Sequence, residues 1–145
     1  VYAYPNHVHA TGEGVVFVTG NTYPEEGRET AVRHPRANAA LGYGGDGTAR
    51  WSASVGGFAS GVAADGHRVA VPGAQAFRDS DPETHGLRTV DVREGRRAAV
   101  EADGIVTAAA IRDDALAWVE EPVVYHDEGK RRGTYRLHAS TWEAP

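Results

Sequence analysis

The sequence predicts an all-β chain: about three four-stranded antiparallel sheets in tandem, arranged as blades of a partial β-propeller ring over residues 6–56, 57–104 and 105–145. Three observations carry this reading. Eighteen glycines and seven prolines in 145 residues break the chain too often for a bundle of long helices. Tight turns are followed by short runs of alternating apolar residues, as a strand with one buried face requires. Both features recur with one period.

That period is visible in "GEGVVFV" from Gly12, "ADGHRVAV" from Ala64 and "RDDALAWV" from Arg112, whose turns at Gly14, Gly66 and Asp114 are 52 and 48 residues apart. A second set of landmarks keeps the rhythm: Leu41, Val90 and Leu137 read as matched apolar positions, and the turn glycines Gly47 and Gly95 are 48 apart. A repeat of roughly 40 to 50 residues with four short strands has the dimensions of a propeller blade.

The first unit reads as His7 to Thr11 with Val15 to Thr19, then Ala39 to Tyr43 with Ala49 to Ser54. In the second, Phe58 to Ala63 pairs with Arg68 to Val71, and Leu87 to Val92 with Arg97 to Glu101. The third gives Val106 to Ile111 with Ala115 to Val119, then Thr134 to Ala139 and a further segment from Trp142. By propensity alone "TAAAIRDDALAWVEE" would be helical. Its register with the two earlier units assigns it to two strands.

Between the second and third strands of each unit lies a long polar insertion: "NTYPEEGRETAVRHPR", "AQAFRDSDPETHG" and "EEPVVYHDEGKRRG". Equal placement in the repeat predicts that all three emerge on one side, where long loops on a rigid scaffold carry binding. The candidate ligand-binding residues are therefore His34, Arg36, Arg78, His85, Tyr125 and His126, a set of basic and aromatic side chains suited to an acidic or sugar-like ligand or a protein.

Composition narrows the partners. Fifteen basic against 20 acidic side chains give a net charge of -5, which disfavours nucleic acid and anionic lipid, since both need a basic face. There is no cysteine, so disulfides, thiolate metal sites and cysteine nucleophiles are excluded. No apolar run approaches the roughly 20 residues of a membrane span. The chain has no methionine, from which we expect a processed product or a piece of a longer polypeptide.

The stretch "ALGYGGDGTARWSASVGG" resembles the repeat of quinoprotein-type (PQQ-like) propellers, in which an aspartate-containing turn leads to a glycine with a tryptophan four residues later, here Gly47 and Trp51. In such repeats the tryptophan packs between blades. The second unit departs from the pattern, with Ala99 at the tryptophan position, and the third ends at "HASTW". The resemblance implies a fold and leaves function open, because propellers host enzymes, receptors and scaffolds. Quinone-dependent members need a complete ring with a central cofactor and calcium site. Three blades do not form one, so no cofactor is expected, and a protein partner or additional blades should complete the ring, in an oligomer or a longer chain.

An alternative starts from His7, His9 and Glu13. Two histidines alternating on a strand share a face, and with a carboxylate past the turn they form a plausible divalent-metal set. The spacing in "HVHATGEGVVFVTG" resembles the first metal motif of cupins, and "GHRVAVPGAQAF" loosely resembles the second. That resemblance implies a cupin-like barrel acting as a metal-dependent oxygenase or isomerase. Gln75 stands where a cupin has its third histidine, and the turns of His7 to Gly20 recur later without histidines. No G-x-S-x-G elbow, phosphate loop or H-E-x-x-H occurs. The adjacent acidic pairs point to opposite faces of a strand and do not form a general acid and base couple. The sequence therefore favours a non-enzymatic scaffold or binding module.

Overall fold

Two-residue turns open each of three successive antiparallel sheets. In the computed structural model, which describes residues 2–23, 34–55, 57–74, 85–94, 96–125, 127 and 129–142, they join Thr11 to Gly14, Asp65 to Arg68 and Arg112 to Ala115. Gly66 and Asp113 take left-handed conformations in these turns, with φ of 57° and 52°. Glycine does so without strain, and aspartate is among the few other residues that tolerate it.

Sheet one runs in the order β1 (Tyr2–Thr11), β2 (Gly14–Tyr23), β3 (Ala39–Tyr43), β4 (Ala49–Ser54). In sheet two, β5 (Phe58–Ala59) and β6 (Ala63–Asp65) both pair with β7 (Arg68–Ala74), followed by β8 (Gly86–Asp91) and β9 (Arg97–Val100). Sheet three is β10 (Ile105–Arg112), β11 (Ala115–Glu121) and β14 (Arg136–Thr141), while the third insertion forms a small hairpin of β12 (Val123–Val124) and β13 (Arg131–Arg132). Among the described residues there is no helix, and no sheet closes on itself.

The chain is thus all-β, with sheets where the period places them, and three local features differ from expectation. The first strand of sheet two is split at Ser60, whose backbone N–H donates to Pro72 O while its hydroxyl donates to Val106 O of sheet three at 2.6 Å. Trp142 ends sheet three in a turn, its N–H donating to Asp114 O, and residues 143–145 lie outside the described residues. Leu137 is not on the face that its spacing from Leu41 and Val90 suggests. It pairs with Val119 on the face of sheet three turned away from sheet two, whereas Val90 faces sheet one. A one-residue slip in register moves a side chain to the other face.

The stretch with the strongest helix propensity is extended because its alternation has a use. Leu116 and Trp118 of β11 are buried against sheet two, while Ala115 and Ala117 on either side of Leu116 point the other way. Burial of this kind outweighs propensity differences of a few tenths of a kcal/mol per residue.

Two clusters form the core, one in each gap between sheets. Val16, Val18, Ala40, Ala53 and Val55 of sheet one and its exit meet Ala59, Val69, Val71 and Val90 of sheet two. Ala63, Ala70 and Leu87 of sheet two meet Val106, Leu116, Trp118 and Trp142. β7 therefore contributes to both clusters: Val69, Ala70 and Val71 are each 1% exposed or less although they alternate between faces. The middle sheet is covered on both sides by its neighbours.

Trp51 packs against the first of these clusters. Its indole lies over Gly42, where a Cβ would come 2.0 Å from Nε1, so the close approach of ring to backbone requires glycine there. Polar ties reinforce the gaps. Glu13 pairs with Arg93, Arg97 donates to Ser52 O at 2.9 Å, and Arg68 pairs with Asp114 at 2.8 Å while its guanidinium lies 5.6 Å from the Trp142 ring centre.

Candidate functional site

The described end of the first insertion is a tight turn held by the strand below it. Ala37 N–H donates to His34 O and Arg36 N–H to His34 Nδ1, while Asn38 N–H donates to Gly20 O. The buried hydroxyl of Thr19 donates to Arg36 O and accepts from Ala39 N–H, and so fixes where β3 begins. No sequence motif marks Thr19. Its role arises from the meeting of β2 with the loop's return.

Beside this turn lies a cleft of about 350 Å³ lined by His34, Arg36, Ser52 and Ser54 together with Pro35, Ala37, Ala39 and Ala53. Among the described residues the lining holds an imidazole, a guanidinium and two hydroxyls and no carboxylate, which is donor-rich chemistry for an anionic or hydroxyl-bearing group. Arg36 is exposed and His34 half-buried, so two of the candidate ligand-binding residues come together at the surface.

His85 and Tyr125 also come together, in a different setting. They belong to the second and third insertions, and their rings stack at 5.6 Å with an 8° interplanar angle. His85 Nε2 lies 2.5 Å from Tyr125 Oη, and Nδ1 lies 2.9 Å from Asp103 O. A carbonyl only accepts, so Nδ1 donates to Asp103 O, while Nε2 shares a hydrogen bond with the phenol. Both rings are buried, at 1% and 3% exposure. The pair is a join beneath the insertions, not an exposed contact surface. Arg78 and His126 lie outside the described residues.

The alternative metal set is not assembled. His7 Nε2 lies 3.1 Å from Ala59 O, to which Asn6 Nδ2 also donates, and this ties β1 to sheet two. Glu13 is engaged with Arg93. His9 shares the His7 face of β1, two residues along. Among the described residues no group of three or more histidine, aspartate or glutamate side chains is placed to hold a metal ion.

A second cleft, of about 380 Å³, opens at the turn end between sheets one and two and is lined among others by Glu13, Tyr43, Arg50, Trp51 and Arg93. Its two arginines are paired with Asp46 and Glu13. In the turn before Trp51, Asp46 accepts from the Thr48 hydroxyl at 2.6 Å and from Thr48 N–H at 3.0 Å, and these bonds, the hydroxyl's first, hold its carboxyl below the usual carboxylate pKa. The aspartate of the repeat motif thus has a turn-building role.

No helix among the described residues is long and apolar enough to cross a membrane. Compared with known proteins, the chain matches no family model and no curated protein.

Proposed function

We propose that this chain is a non-enzymatic β-propeller segment of the quinoprotein-like kind, a scaffold whose insertions present a binding surface to a protein or a surface ligand. The observation that carries the reading is the middle sheet: it is antiparallel, follows sheet one with the same opening hairpin, and is covered on both faces by its neighbours, as an internal blade must be. Placement of every insertion between the second and third strands of its sheet supports it further. The cleft at His34 and Arg36 supplies the chemistry, with cationic and neutral donors grouped at the base of one insertion.

The test is calorimetric titration of the chain with two acidic probes, an oligogalacturonate and a glutamate-rich peptide. Binding of either, weakened roughly tenfold or more by Arg36→Ala, is the expected result. Failure of both probes to bind, or binding unchanged in Arg36→Ala, would overturn the assignment of this surface.

A further inference from the structure

The gaps on the two sides of sheet two are built alike and filled differently at their turn ends. Val92 N–H donates to His67 O, and Trp142 N–H donates to Asp114 O. His67 and Asp114 hold the same place in hairpins closed by Asp65 with Arg68 and by Arg112 with Ala115, so Val92 and Trp142 are counterparts. Val92 packs against the core cluster toward sheet one, and Trp142 is buried in the cluster toward sheet two. By the same alignment Arg68, whose guanidinium covers the Trp142 ring, is the counterpart of Gly14, which closes the first hairpin with Thr11.

Between sheets two and three this end is thus filled by an indole beside a guanidinium. Between sheets one and two the same two positions hold a valine and a glycine, and the cleft of about 380 Å³ opens there. Gly14 keeps it open. Its φ is 143°, and a Cβ would lie 2.0 Å from Tyr43 O, so no larger side chain can stand in the place of Arg68. Trp51 enters this gap from β4, but it is only half-buried and lines the cleft. A volume of this size falls within the roughly 300 to 1,000 Å³ of small-ligand pockets.

The lining combines apolar surface from Val16, Val69, Val92 and Trp51 with the guanidiniums of Arg50 and Arg93. Among the described residues that line it Glu13 is the one carboxylate, so cations outnumber anions. Glu13 engages Arg93, which leaves Arg50 as the cation to spare. The Asp46 partner of Arg50 is 3.8 Å away, and both side chains are more than half exposed. So open a pair is weakly held, and a carboxylate presented in bidentate geometry displaces it. We propose that this cleft binds a small flat aromatic acid, of the size of an indole carboxylate, whose ring takes the place that Trp142 fills in the other gap and whose carboxylate pairs with Arg50. A ring there meets the Trp51 indole and the guanidiniums, repeating the contact that Arg68 makes with Trp142. The site needs only the packing of sheets one and two, and it opens at the turn end, away from the insertions and the cleft at His34.

The experiment is an NMR titration of the chain's amide and indole N–H signals with indole-3-acetate, with indole-3-acetamide as the uncharged comparison. Saturable shifts of the Trp51 Nε1–H and the Val92 amide at sub-millimolar indole-3-acetate are expected, with binding of the acetamide weaker by roughly tenfold. Val92→Trp, which reproduces the filled arrangement of the other gap, should abolish binding of both. Arg50→Ala, at an exposed side chain, should weaken indole-3-acetate by roughly tenfold and leave indole-3-acetamide unchanged. That variant decides the matter if Val92→Trp disturbs the sheets. The assignment would be overturned by the absence of saturable shifts, by shifts that spare Trp51 and Val92, or by equal affinity for acid and amide. Binding of indole-3-acetate unchanged in Arg50→Ala, or in a folded Val92→Trp, would overturn it equally.

Discussion

Single residues in this chain mostly serve geometry. Asp46 sits in the motif that resembles a propeller repeat, and its carboxylate is engaged by Thr48 within its own turn. Because its pKa is lowered on folding, the stability it contributes is present above the ordinary carboxylate value and lost as pH falls through the lowered one. Thr48→Val removes the hydroxyl donor, so a carboxyl-carbon NMR titration should show Asp46 moving back up toward an ordinary aspartate; an unmoved titration would show that the hydroxyl is not the main cause. His85 and Tyr125 are instructive in a different way. Their placement in polar insertions reads as surface chemistry, yet each satisfies the other in a buried pair. Sequence carries no sign of that, because the partners are 40 residues apart and meet only when sheets two and three pack.

At the scale of elements, β11 has the most at stake. Trp118 is buried against sheet two on one side and stacks on His138 at 4.9 Å with nearly parallel planes. His138 is in turn held by Glu120, itself buried, at 2.9 Å. Trp118→Ala should therefore cost about 3–5 kcal/mol in urea unfolding, and a loss below 1 kcal/mol would mean that this face is not packed as described. The strand was legible in the sequence by its alternation and its match to "GVVFV" and "HRVAV", against its helical composition. Leu137 was not, because spacing alone cannot fix a register to one residue, and one residue decides the face. The break at Ser60 was equally hidden, since it depends on a hydrogen bond to Val106 in another sheet.

For the whole molecule, periodicity was the most informative signal. Turns about 50 residues apart mark three sheets in tandem, and the long polar stretches fall between the second and third strands of each. The candidate site was legible only in part: His34 and Arg36 share a surface cleft with Ser52 and Ser54, and His7 and Glu13 take separate partners, each of which ties sheet one to sheet two. The central claim is that sheet two is enclosed between its neighbours. Hydrogen–deuterium exchange resolved by residue tests it directly: the amides of β7 should be among the slowest to exchange in the chain, well behind those of β14, which forms an edge of sheet three. Exchange in β7 as fast as in β14 would contradict the stacked arrangement.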